Sequence, residues 1–284
     1  MRRRSAHWSR PPRKRSKLPE HLGARHREVR RLAKLLRDAR TREHEQAFVV
    51  EGPRVVAAAL DRDATIEAVY YGVHADRAFV ALDARMERAG IRRVVLKEGV
   101  LERVGTTVTP QPVLAVARMP TPDEGALAAD GLVIVALGIA DPGNLGTILR
   151  TAEAANVAAI VLGEGSVDAY NPKVVRASAG AIFGVQVLEA PAVQALDALG
   201  GQGRQRLAAD PRSGPPYYEV DFCRPTAVVL GSEAHGLPPE IESHLDGHVM
   251  IPMAPPAESL NVAMAAAVLS FEACRQRAAG TAKP

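Results

Sequence analysis

Three short, wholly apolar runs constrain this chain most: Leu132–Leu137, Ala158–Leu162 and Ala227–Leu230. Each is too short to be a core helix, and a strand apolar on both sides must be covered on both sides. Helix-forming stretches lie between them. The pattern predicts helices at Asn144–Ala155, Pro172–Ala181, Val193–Leu199 and Pro239–Ser243, with a last one from about Asn261 to Arg277. Further strands are expected at Gly184–Leu188, Arg206–Asp210 and His248–Ile251. Strands alternating with helices in this way imply a mostly parallel, buried sheet.

The N-terminal half shows a shorter version of the same alternation. Residues 25–41 carry Val29, Leu32, Leu35 and Leu36 at helical spacing. Phe48–Pro53 reads as a strand broken by Gly-Pro, followed by a helix at Arg54–Leu60. A strand at Ile66–Tyr71, a helix at Ala75–Ala89, a strand at Ile91–Leu96, a short helix at Glu98–Val104 and a strand at Val113–Ala117 complete a small α/β domain. The prolines of Met119–Gly125 block regular structure. The chain therefore divides into a basic disordered arm (1–22), a small domain (23–119), a linker (120–128) and a larger domain (129–284).

Charge is unevenly distributed. The net charge is +4, yet residues 1–42 hold 16 of the 36 Lys and Arg and only 3 of the 32 Asp and Glu, a net of +13 against −9 for the remainder. A dense, one-signed arm suits the phosphate backbone of a nucleic acid, where counterion release drives binding. The two cysteines, Cys223 and Cys274, form no CxxC, and no His is spaced for zinc. That argues for a reducing, cytoplasmic setting and no metal site. No apolar run is long enough to span a bilayer, so no membrane role is expected.

Three loops of the larger domain place glycine and polar groups directly after apolar strands, where α/β proteins bind ligands. The first, Gly138–Arg150, contains Asn144, which can cap a helix, and Arg150, about two turns further on. It holds neither the GxGxxG of a dinucleotide site nor the Gly-Lys of a Walker loop. The second, Val229–Leu237, brackets Glu233 between Gly231 and Gly236. The third, Ile251–Asn261, brings Ser259 and Asn261 to the start of the last helix.

In this order the loops resemble the three motifs of the SpoU-type (TrmH-like) RNA ribose 2′-O-methyltransferases of the SPOUT superfamily. The matches are Asn144-x-Gly146-x-x-x-Arg150, then Leu230-Gly231-Ser232-Glu233 with Gly236, then Ile251-Pro252-Met253 and Ser259-Leu260-Asn261-Val262. Asn171-Pro172-Lys173 and Arg176–Gly180 fit the segment after the first motif, and the resemblance spans roughly residues 130–277. Val50-Glu51-Gly52 resembles the L30e-like RNA-binding domain that precedes the catalytic domain in ribosomal-RNA members. The resemblance implies a trefoil-knotted domain, S-adenosylmethionine as cofactor and a homodimer. It implies that Leu230, Gly231, Gly236, Ile251, Met253 and Leu260 hold the cofactor. It also implies that Arg150, supported by Asn144, Glu233, Ser259 and Asn261, serves catalysis.

The expected activity is methyl transfer to a ribose 2′-hydroxyl of structured RNA, with ribosomal RNA favoured by the N-terminal domain and the arm. A transfer-RNA methyltransferase and a non-catalytic RNA-binding or ribosome-assembly protein on the same fold are the alternatives. A base N-methyltransferase on a similar knot fits the first motif less well, because Arg150 favours ribose oxygen.

Overall fold

The computed structural model describes residues 20–72, 77–106, 111–121, 123, 125–128, 130–232 and 235–281. The N-terminal domain is built on a five-stranded sheet in the order β1 (Glu20–Leu22), β4 (Arg92–Leu96), β3 (Ile66–Gly72), β5 (Val113–Arg118), β2 (Ala47–Glu51). β1, β4 and β3 run parallel, whereas β5 is antiparallel to both β3 and β2. One face is covered by α1 (Arg27–Arg37) and α5 (Val100–Val104), the other by α3 (Pro53–Asp61) and α4 (Arg77–Arg88).

The expected arm ends earlier than residue 22. Glu20–Leu22 pairs in register with Val94–Leu96, so these residues belong to the sheet. The rest of the arm lies outside the described residues. The single helix expected over 25–41 is two. α1 stops at Arg37, and Asp38 caps α2 (Ala39–Glu45) by accepting a hydrogen bond from the Arg40 N–H at 3.2 Å. An aspartate able to satisfy free amide groups of a new helix outcompetes continuation of the old one.

The C-terminal domain has a wholly parallel six-stranded sheet. Its order is β11 (Gly247–Val249), β9 (Gln205–Ala209), β10 (Thr226–Leu230), β6 (Leu132–Ala136), β7 (Ala159–Leu162), β8 (Gln186–Glu189). The sheet expected from the apolar runs is therefore present, with β6 and β10 at its centre. One face packs against α7 (Pro142–Ala154) and α10 (Val262–Thr281) through Ile134, Leu145, Ile148, Leu149, Ala266 and Leu269. α9 (Ala192–Gly201) covers the other face with Leu196 and Leu199. The linker region carries one short helix, α6 (Gly125–Ala128). The stretch expected as one helix over 172–181 is α8 (Pro172–Ala177) followed by a 3-10 turn at Ala181–Phe183. Gly180 separates them at φ +102, a left-handed conformation that breaks the helical repeat. The helix expected at Pro239–Ser243 is likewise a 3-10 turn, Pro239–His244.

Helix α7 is held on two sides. α10 packs along it, and α8 crosses it so closely that a Cβ on Gly146 would lie 2.3 Å from the Cβ of Ala177 and 2.9 Å from its carbonyl carbon. Gly146 is thus the crossing point of two helices. Gly146→Ala is expected to force the helices apart and to lower stability by about 1–3 kcal/mol. A thermal midpoint equal to that of the parent chain would show that the crossing tolerates a methyl group.

Candidate active site

All strands of a parallel sheet end at one edge, so the loops leaving β9, β10 and β11 meet there. Between them lies a cleft of about 640 Å³. Its walls include Leu230, Gly231, Gly236, Ile251, Met253 and Leu260, all six residues expected around a cofactor. Ser259, expected in a supporting role, lines it as well.

The loop after β10 closes on itself. Ser232 N–H donates to the Gly236 carbonyl at 3.0 Å, and Gly236 N–H returns a bond to the Ser232 carbonyl at 2.8 Å. A Cβ on Gly231 would lie 2.6 Å from the Gly236 carbonyl carbon, so this turn excludes a side chain there. Gly236 has φ +67, which also favours glycine. Gly138, after β6, has φ +67, and a Cβ there would stand 3.1 Å from the Cβ of Ser232. The first and second loops therefore touch. Glu233 lies outside the described residues.

The third loop joins the first. Asn261 Nδ2 donates to Asn144 Oδ1 at 3.0 Å. Asn261 Oδ1 accepts from the N–H groups of Ala263 and Met264, at 3.0 and 3.4 Å, and so caps α10. Asn144 does not cap α7. That role falls to Asp141, whose Oδ1 accepts from the Asn144 N–H at 2.9 Å. Asn144 is thereby the third residue of the helix, within its first turn, with its amide bonded to Asn261. Pro142, compatible with the first helical turn, moved the start upstream of the expected one.

Arg150 sits on the exposed side of α7, about 9 Å along the axis from Asn144 at 1.5 Å per residue. It has no hydrogen-bonded or ionic partner among the described residues, and it is not part of the cleft wall. Glu153, its nearest acidic neighbour in sequence on the helix, is engaged by Arg62, whose Nε donates to Glu153 Oε1 at 2.7 Å. The structure therefore brings the cleft residues and Ser259 together, and separately joins Asn144 to Asn261. Arg150 stands on the exposed side of α7, about 120° around the helix axis from Asn144, and outside the cleft wall.

No motif or spacing singles out Asp210, Glu242, His248, Arg212 or Glu258, yet all five line the cleft. His248 Nε2 is 2.9 Å from Glu242 Oε1. Its Nδ1 is buried and makes no hydrogen bond among the described residues, with Asp210 Oδ2 at 3.7 Å. The three carboxylates come from two loops and a 3-10 turn, a convergence that no linear spacing records. Arg206 fastens the turn beside them. Its backbone N–H and Nε both donate to Asp246 Oδ2, at 2.8 and 2.9 Å, and its guanidinium holds the Asp246 carboxyl below the usual range.

No group of three or more His, Cys, Asp or Glu side chains is placed to hold a metal ion among the described residues. No helix among them is long and apolar enough to cross a membrane.

Asn261→Ala removes both the α10 cap and the bond to Asn144. It is expected to lower stability by about 1 kcal/mol, the usual effect of losing a cap, and to leave Asn144 without its amide partner. An Asn261→Asp variant keeps the cap and loses the donor. Equal thermal midpoints for the Ala and Asp variants would show that the cap contributes nothing.

Comparison with known proteins agrees with this geometry. The family model described as the SpoU rRNA Methylase family matches residues 131–271, and that of the MRM3-like substrate binding domain matches residues 26–115. The 23S rRNA (guanosine(2553)-2′-O)-methyltransferase RlmP of Bacillus subtilis is 32% identical over 238 residues, 84% of this chain and 92% of the relative. The 23S rRNA (guanosine-2′-O-)-methyltransferase RlmB of Xanthomonas axonopodis is 36% identical, over 68% of this chain and 81% of its own. The SpoU methyltransferase AviRb of Streptomyces viridochromogenes, solved in complex with AdoMet, superposes with a TM-score of 0.78 at 26% identity, covering 89% of this chain and 99% of its own. With an α/β catalytic domain on a parallel sheet, an N-terminal substrate-binding domain and the three motif loops gathered at one edge, the chain belongs to the SpoU rRNA methylase family.

Proposed function

We infer that this protein transfers a methyl group from S-adenosylmethionine to a ribose 2′-hydroxyl of ribosomal RNA. The observation that carries the reading is the single cleft lined by all six expected cofactor residues and Ser259, beside the Asn144–Asn261 bond. Relatives named as 23S rRNA 2′-O-methyltransferases support the substrate class.

The cleft suits the cofactor on its own features. About 640 Å³ falls within the range of small-molecule sites. Leu230, Ile251 and Leu260 offer apolar surface to a purine, and the Gly231–Gly236 turn lets a ligand approach the backbone. Asp210, Glu242 and Glu258 face Arg212 and His248, an acidic balance that favours a cationic sulfonium. When bound, the cofactor supplies an already activated methyl group. The protein's share is then placement and exclusion of water.

Arg150 is the group assigned to the RNA. A guanidinium stays protonated at neutral pH, so Arg150 acts by holding the ribose and an adjoining phosphate oxygen that takes the hydroxyl proton. Asn144, braced by Asn261, fixes the first turn of the helix that bears it. Glu233 and Ser259 complete the polar surround. We place the second and third loops in the threaded, knotted arrangement that the motifs imply.

The same reading makes the protein a homodimer. α10 exposes Met264 and Phe271, at 55% and 51%, one above the other at helical spacing on a helix packed beside α7. A second copy over that stripe would cover apolar surface and enclose Arg150. The basic arm adds sequence-independent phosphate contact, the N-terminal domain adds recognition of RNA shape, and the enzyme works in the cytoplasm, where ribosomal RNA of its bacterial relatives is made.

Arg150→Ala is expected to keep cofactor affinity within about twofold while transfer falls about a hundredfold or more, the scale of a lost positioning group. Calorimetry with S-adenosylmethionine, paired with nucleotide-resolution mapping of 2′-O-methyl groups, reads both quantities. Turnover at the parent rate would remove Arg150 from the mechanism. Phe271→Glu is expected to convert a dimer into a monomer with little transfer activity. Light scattering that finds the parent chain itself monomeric at micromolar concentration would end the dimer assignment.

A further inference from the structure

Two motifs of the sequence have no place in the cleft: Val50-Glu51-Gly52 and Arg176–Gly180. They meet each other across the two domains. Glu51, at the end of β2, is 3% exposed. It forms an ion pair with Arg176 of α8, and Thr106 Oγ1 donates to Glu51 Oε1 at 3.1 Å. Arg176 Nη1 also donates to Thr106 Oγ1 at 2.8 Å, which closes a three-sided network. Gly180 fits the same junction, because a Cβ there would lie 2.4 Å from the Cβ of Ala58 on α3.

The junction has an apolar centre and two further ion pairs. Val175 of α8 is fully buried within the core of the N-terminal domain. Phe48 of β2 packs on Tyr170 and Phe183, with ring centroids 4.8 and 5.6 Å apart. Arg42, 3% exposed, pairs with Asp168 and also donates to the Leu35 carbonyl at 2.7 Å. Arg62 pairs with Glu153 of α7.

Domains joined only by a linker normally move relative to one another. Here α8 packs into both domains at once, against β2 on one side and against α7 at Gly146 on the other. A buried ion pair is poor glue, but it is intolerant of misregister, because displacement leaves a charge without its partner. α7 is the helix that bears Asn144 and Arg150.

We propose that Glu51 and Arg176 are positioning residues for RNA: their pair fixes where the N-terminal domain holds the substrate relative to α7, and so selects the ribose that reaches the cleft. The proposal rests on the reading of this chain as an RNA methyltransferase. The junction acts as a ruler between the place where RNA is gripped and the place where it is methylated. Neither residue lines the cleft.

The test uses the full chain with three variants: Arg176→Gln, Arg176→Lys and the double Glu51→Gln/Arg176→Gln. The double variant removes both charges and keeps the shapes, so it is the form best able to fold. S-adenosylmethionine affinity is expected to stay within about twofold in the double variant. Transfer to purified ribosomal RNA at saturating RNA is expected to fall at least about tenfold, the scale of a misplaced substrate. Methyl groups mapped at nucleotide resolution should spread to neighbouring riboses, and amide exchange in Pro172–Ala177 should quicken. Arg176→Lys should recover most of the rate and the single target. A double variant that methylates the same single ribose at the parent rate overturns the proposal, as does loss of cofactor affinity in parallel with transfer. Should the parent chain bind S-adenosylmethionine yet methylate no ribosomal RNA, the assigned activity fails. Unchanged exchange in Pro172–Ala177 of the double variant would then still overturn the ruler.

Discussion

The close packing of α7 between α8 and α10 is the constraint on which the molecule turns. On one side Gly146 allows helix axes to approach to a distance that any side chain would forbid. On the other, the amide of Asn144 is bonded to Asn261, 117 residues later in the chain. These two contacts oppose sliding and rolling of the helix. Arg150 inherits that rigidity at its backbone while its side chain remains exposed.

This arrangement divides the motif residues by physical task. Gly146 and Gly180 serve packing, Gly231 and Gly236 serve a closed turn, and Asn261 serves both a cap and a bridge. The residues that carry the family resemblance are thus not all residues of the reaction. Several are there because a parallel sheet can gather its loops only if the covering helices cross at short range. The N-terminal domain is drawn into the same scheme, since the core under α3 and α4 contains Val175 from the catalytic half.

The parallel sheet was legible because its strands are apolar on both faces, a signal that survives without knowledge of neighbours. The six residues that the motifs single out for a cofactor all line one cleft. Several helix boundaries were not legible. At Asp38 and Asp141 an aspartate satisfies free amide groups upstream or within a stretch whose apolar periodicity continues undisturbed. Asp210, Glu242 and His248 were missed for a different reason: each is a polar residue in a loop, a 3-10 turn or a short edge strand, and only the fold brings them to one wall. The junction between domains was equally silent, because Glu51 and Arg176 are meaningful only as a pair and lie 125 residues apart.

The register of the central strands has a consequence for biogenesis. Leu132 of β6 stands opposite Thr226 of β10, so the middle of the catalytic sheet cannot zip until Thr226–Leu230 has been translated. Contacts between remote segments form slowly, and domains emerge from synthesis in N-to-C order. Asn261 and α10 follow β10 in the chain, and Asn144 waits for them. A nascent chain can therefore complete its RNA-gripping half well before its reactive half, which keeps the newborn protein catalytically silent towards the particle that is making it.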